Sequence, residues 1–321
     1  MKRRMFYVST VVLLIVSLLF TSFAFASRGE NNRGGQKNMR GGAGPIVSTE
    51  WLENNMNRGN LVIIDIRSDE EYQAGHIEES INVPYIVPFS AWLTMRDGLL
   101  MELPEKEDIF DMIGSCGINK GSHVVLITSL PTPENPYAIG NANRAANTLI
   151  YAGVRKVSIL DGGFDKWAEE GRVVSTEQPE VTPFEYKSKV NDDMFVTMDY
   201  VEDNLGEVIL IDARDYEAYT GEIIEPYTGV PGHIPTAKSL PAPKIWNDDW
   251  SYKSVNELNE IVESVIGSGN QREEIIVYCG VGGYASCWAF VLTEMLGYRD
   301  VKVYDGSAEE WVKYNDTVVV E

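Results

Sequence analysis

The chain has 321 residues, 48 acidic against 27 basic, and a formal net charge of -21, a field that repels polyanions and excludes nucleic acid as a natural partner. Its three cysteines, Cys116, Cys279 and Cys287, contain no C-x-x-C pair and its three histidines are scattered, which argues against a disulfide framework or a metal site; no cofactor is expected. The length exceeds what one core carries comfortably and suits two domains of roughly 130 residues each.

Lys2, Arg3 and Arg4 precede an apolar run over 11–20, and Ala24-Phe25-Ala26 supplies a small-x-small cleavage sequence. Residues 1–26 therefore read as an export signal, shorter than the ~20 apolar residues of a spanning helix. The mature protein is expected in the periplasm or outside the cell, free of the membrane. Residues 27–45, rich in Gly, Asn and Arg, lack the apolar side chains needed to fold and read as a flexible tether.

From Ile46 the chain runs through one pattern twice. In the first copy, 46–175, Ser48 is an N-cap candidate opening a helix, and short apolar runs at 61–65, 124–128 and 157–160 read as strands buried on both faces. A helix is expected over 145–151. The stretch 171–193, with Pro179 and Pro183, reads as the connection, the linker proper being 176–193. In the second copy, 194–321, Thr197 takes the place of Ser48, the strands fall at 208–212, 275–279 and 301–305, and a helix follows over 285–296. Four signatures recur in order: the helix opening, Asp65-Ile66-Arg67 with Asp212-Ala213-Arg214, Gly75-His76-Ile77 with Gly232-His233-Ile234, and Asp161-Gly162-Gly163 with Asp305-Gly306-Ser307, each followed by a tryptophan. Each copy is thus an α/β domain with a parallel sheet flanked by helices.

Cys279 closes a strand at the edge where ligands of parallel sheets bind. Gly280, Val281, Gly282, Gly283 and Tyr284 follow and run into a helix, so the backbone is free to fold around the sulfur with its N–H groups turned inward. Those donors and the helix start are expected to lower the thiol pKa. A buried structural cysteine is the competing reading. The first copy argues against it: there the strand ends in Thr128, and Pro131, Pro133 and Pro136 replace the glycines, so one copy keeps thiol and cradle and the other has neither.

Together the strand-Asp-x-Arg, Gly-His-Ile-Pro, Cys-Gly-x-Gly and Asp-Gly-Gly-x-x-x-Trp signatures resemble the tandem-domain rhodanese family of thiosulfate and 3-mercaptopyruvate sulfurtransferases. The resemblance implies two rhodanese-like domains, the first inactive and the second catalytic. It also implies that Cys279 takes a sulfane sulfur as a persulfide from a small sulfur-containing anion and passes it to a thiol, cyanide or protein acceptor. The Cys279-Gly280-Val281-Gly282 opening looks closer to the mercaptopyruvate branch. Departures bear on the donor: Ala218 stands where many tandem members carry a substrate-binding arginine, and Gly280 and Val281 bring no cation, so polysulfide joins thiosulfate and mercaptopyruvate as a donor. A non-catalytic periplasmic sulfur carrier or binding module acting with a partner protein is the alternative function. Phosphatase or arsenate-reductase chemistry needs an arginine where Ala285 stands.

Other residues divide between cleft and support. Arg214 and His233 recur as Arg67 and His76 in the inactive copy, which favours structural roles; Trp246 suits a cleft wall and core packing equally. Cys287 is expected on a buried helix face. Twelve residues separate Tyr219 from Gly232 where two separate Tyr72 from Gly75, and this insertion is expected at the substrate rim.

Overall fold

The computed structural model describes residues 43–133 and 135–320; the expected export signal and all but the last three residues of the expected tether lie outside them. Two five-stranded parallel sheets form the frame. The first contains β1 (Ile46–Val47), β2 (Leu61–Asp65), β3 (Ser80–Asn82), β4 (His123–Ile127) and β5 (Val157–Leu160), ordered β1-β5-β4-β2-β3. The second contains β6 (Phe195–Val196), β7 (Ile209–Asp212), β8 (Lys238–Ser239), β9 (Glu274–Tyr278) and β10 (Asp300–Tyr304), ordered β6-β10-β9-β7-β8. The same order in both confirms the duplicated α/β architecture. Runs such as Val124-Val125-Leu126-Ile127 are buried throughout because helices cover both faces of the sheet.

Local signals act as expected at the helix openings. Ser48 Oγ accepts the Trp51 N–H and Thr197 Oγ1 the Tyr200 N–H, each supplying a partner to a donor that the first turn leaves free. Elsewhere the expected limits shift. β4, β9 and β10 end one residue earlier than expected, so Thr128, Cys279 and Asp305 stand just beyond their strands. The first-copy helix α1 spans Ala138–Tyr151, beginning seven residues before its expected start. Asn143, Arg144 and Asn147 are buried, so apolar periodicity finds only the end that reads as a conventional helix. In the second copy α2 spans Gly283–Phe290, and the chain continues through a π turn in which Leu296 N–H donates to the Val291 carbonyl.

Helices α1 and α2 pack against each other across the domain boundary, within one hydrophobic core that draws on both sheets. Small residues permit the approach: Ala142, Ala145 and Ala146 on one side, Ala285 and Ala289 on the other, all buried. A Cβ on Gly140 would lie 3.4 Å from Cys287 Sγ. Asn147 donates to the Ser286 carbonyl at 2.9 Å, and Asn143 to the Tyr252 hydroxyl at 3.0 Å. The stretch 176–193 has no regular structure but is strapped to the first domain, with Tyr186 buried and its hydroxyl on the Ala152 carbonyl at 3.1 Å. No helix among the described residues is long and apolar enough to cross a membrane.

Candidate active site around Cys279

β9 lies between β7 and β10, so the residue after it emerges at the carboxyl edge in the middle of the sheet. That residue is Cys279, 3% exposed. Its backbone is clamped from the Asp-Gly-Ser turn: its N–H donates to Ser307 Oγ at 3.3 Å, and its carbonyl accepts the Ala308 N–H at 2.9 Å. Ser307 itself sits at φ +52°, a left-handed conformation that costs a non-glycine residue on the order of 1 kcal/mol. The strain is located directly beneath the sulfur-bearing residue.

The loop then folds over the sulfur. Gly282 N–H donates to Cys279 Sγ at 3.1 Å, and the backbone amides of Ala285 and Val281 stand close enough to favour its thiolate. Gly282 has φ +86°, and a Cβ there would come within 3.1 Å of the Asp305 carbonyl, so glycine serves both the turn and the close approach. Gly283 rests on Met101 of the first domain. The half-buried Tyr284 meets Tyr137, also from the first domain, edge-on at 5.4 Å. Val281 is partly exposed at the lip.

The thiol pKa corrects one expectation. Burial pushes the Cys279 thiol up from its ordinary range, the backbone amides of Ala285, Val281 and Gly282 pull it down, and Glu225 pushes it up again. Burial prevails because the loop that supplies the amides also removes the sulfur from water.

Glu225 comes from the insertion, which its carbonyl folds back by accepting the N–H groups of Thr228 and Gly229 at 3.2 and 3.1 Å. Its carboxylate accepts from Arg214 Nη1 at 3.2 Å and would lie 3.2 Å from a Cβ on Gly280. Burial raises the carboxyl pKa and Arg214 lowers it. Arg214 is otherwise held by Asp212, Nη2 to Oδ2 at 2.6 Å, and by the Gly232 carbonyl at 2.8 Å. The first copy repeats this in Arg67, Asp65 and Gly75. His233 stacks on Tyr219 at 3.8 Å and bonds its carbonyl through Nδ1, as His76 does with Tyr72. Trp246 is buried, packed against Trp250 and Tyr252, which places it in the core. Cys287 is fully buried, facing the Gly140 carbonyl of α1.

Two residues that sequence reasoning missed complete the surroundings. Arg144 of α1 is fully buried and pairs with Asp305 at 2.8 Å and the Met101 carbonyl at 2.7 Å. Its Nη1 lies 3.6 Å from where a Gly282 Cβ would be. Its signal was a lone cation in an Ala- and Asn-rich run, but the expected helix began one residue later. Glu225 was covered only by the general expectation that the insertion forms a rim.

Comparison with known proteins agrees with this frame. The family model described as "Rhodanese-like domain" matches residues 48–170 and 197–314. A protein of Mycolicibacterium smegmatis, provisionally named as a thiosulfate sulfurtransferase, is 30% identical over 285 residues, covering 85% of this chain and 95% of its own. The sulfur carrier protein TtuD of Thermus thermophilus is 30% identical over 281 residues, covering 83% and 93%. Among solved structures, the anaerobic ergothioneine biosynthesis enzyme of Chlorobium limicola superposes with a TM-score of 0.72 at 21% identity, covering 86% of this chain and 71% of that one. At that identity the likeness shows the fold.

Proposed function

The chain belongs to the rhodanese sulfurtransferase family, and from that premise we propose that Cys279 takes a sulfane sulfur as a persulfide and passes it to a thiophilic acceptor. The observation that carries the reading is the asymmetry of the duplication. The second copy places a sulfur under the Gly282 N–H and the neighbouring loop amides at a sheet edge, where the first places Thr128 just beyond β4, its hydroxyl committed to the Ala138 carbonyl at 2.9 Å.

In the first half-reaction the Cys279 thiolate attacks the outer sulfur of the donor. An S–S bond to Cys279 forms, the donor's bond to that sulfur breaks, and the departing group keeps the electron pair. In the second, the acceptor attacks the outer sulfur of the persulfide and the Cys279 thiolate leaves. The cradle amides, fixed before reaction, stabilise the negative charge on sulfur at both ends of the cycle. Thiosulfate, 3-mercaptopyruvate and polysulfide are the donors in view; the leader sequence supports action outside the cytoplasm.

Donor treatment followed by mass spectrometry should find Cys279 heavier by one sulfur atom, and Cys279→Ser should give no sulfur transfer. An unmodified Cys279 after all three donors would overturn the reading. The likeness to a sulfur carrier protein favours a second reading, in which the persulfide forms but turnover requires a partner protein; multiple turnovers with a small thiol alone would exclude it.

A further inference from the structure

The family signatures leave this site without the expected cations, and the structure puts a carboxylate in their vicinity. Glu225 reaches the first residue of the cradle, its Oε2 3.2 Å from the position of a Gly280 Cβ. Asp215 stands at the N-cap of the short helix Tyr216–Thr220, beside the same opening, and both carboxylates act on the ionisation of Tyr137 at the lip, as does Cys279. The charges of the arginines bordering the loop are already paired, Arg214 with Asp212 and Glu225, Arg144 with Asp305. An approaching anion therefore meets a carboxylate whose partner is shared. A cation meets that carboxylate and the tyrosine rings of Tyr137, 52% exposed, and Tyr284, surfaces that attract positive charge.

We propose that Glu225, delivered by the 220–231 insertion, is the specificity determinant of the Cys279 site and selects thiols and persulfides that carry a positive charge near sulfur, aminothiols foremost, over anionic ones. The inference rests on the persulfide function proposed above. In the step concerned, the thiolate of an ammonium-bearing thiol attacks the outer sulfur of Cys279–S–SH. The new bond joins the acceptor sulfur to the transferred sulfur, the Cys279–sulfur bond breaks, and Cys279 leaves as thiolate, so that a charged acceptor becomes its persulfide and no external oxidant or reductant is needed. Glu225 pairs with the ammonium group, while its charge opposes an acceptor carrying sulfonate or carboxylate.

The test begins with enzyme loaded by excess polysulfide, desalted, and shown by mass to hold one extra sulfur on Cys279. Sulfur transfer is then followed to thiols matched in size and differing in charge: 2-mercaptoethanesulfonate, 2-mercaptoethanol, cysteamine and thiocholine, with rates expressed per thiolate. The cationic acceptors should exceed the anionic one by about tenfold or more, as a full charge within contact range of a half-buried carboxylate requires. Glu225→Gln should compress that ratio to within about threefold, and Glu225→Asp, which keeps the charge, should preserve most of it. Equal rates across the wild-type series, or a ratio unchanged in Glu225→Gln, would overturn the proposal while leaving the sulfurtransferase reading intact. Failure to load Cys279 at all would sink that earlier reading instead.

Discussion

Arg144→Met isolates the contribution of the first domain to the Cys279 loop of the second. The guanidinium is fully buried, pairs with Asp305 at 2.8 Å, donates to the Met101 carbonyl at 2.7 Å and lies over the Phe195 ring at 4.8 Å. Methionine retains much of the stem's packing, so the loss falls mainly on Asp305, left buried with the Leu103 N–H at 2.8 Å as its remaining protein donor. Breaking a buried pair from one side costs about 3–5 kcal/mol. With a urea m-value near 3 kcal/mol per molar for a chain of this size, the unfolding midpoint should fall by roughly 1 M or somewhat more. Adding Asp305→Asn removes the orphaned charge while keeping an acceptor for Leu103, so the double variant should be more stable than Arg144→Met alone. Persulfide loading should slow in the single variant, because the Asp305 carbonyl and Arg144 both border Gly282, the residue that donates to Cys279 Sγ. A midpoint within about 0.2 M of wild type, or a double variant weaker than the single, would refute this account of the clamp.

Two further outcomes follow from buried titratable groups. Because burial raises the Cys279 thiol and Glu225 adds to the rise, iodoacetamide alkylation should be half-maximal above the ordinary cysteine value of about 8.5, and Glu225→Gln should move it to lower pH; a wild-type midpoint below that value would mean the amides outweigh desolvation. Burial, then the nearby Asp305 charge, pushes the Glu102 carboxyl from its ordinary 4.5 to about 8. The folded chain therefore holds a proton that the unfolded chain gives up near 4.5, and stability falls as pH rises between these values. Glu102→Gln should gain in urea midpoint over wild type progressively across that window, and parallel pH profiles for the two proteins would count against it.

What the sequence disclosed depended on whether the signal was local. The apolar runs at 61–65 and 157–160 coincide with β2 and β5, since a strand covered on both faces needs little beyond continuous hydrophobicity. The cradle could be read for the same reason: Gly280, Gly282 and Gly283 follow Cys279 directly, and Gly282 adopts the left-handed turn that glycine favours. The thiol pKa could not be read this way, because desolvation depends on how tightly the whole loop closes. Arg144 and Asp305, 161 positions apart in the chain, meet through the stacking of α1 on α2, a contact that no periodicity within either helix announces. Glu225 was hidden differently, since the insertion has no counterpart in the first copy against which to compare it.

The retained half of the duplication is therefore more than a spacer. The two Asp-Gly turns act reciprocally: Asp161 of the first domain accepts the Tyr252 N–H of the second at 3.0 Å, and Asp305 of the second accepts the Leu103 N–H of the first at 2.8 Å. This near-symmetric exchange fixes both strand edges against the shared core, and the symmetry ends where chemistry begins. On one side Thr128 spends its hydroxyl within its own domain. On the other, the first domain supplies Met101 beneath Gly283, Tyr137 against Tyr284 and Arg144 behind Gly282, so three of its residues border the loop over Cys279. The first copy thus differs from the second in its strand end and loop, yet keeps the face on which the second copy's loop is built. The insertion carrying Glu225 then sets the charge at the mouth without disturbing that support, so the residues that hold the loop are distinct from the proposed determinant of acceptor charge.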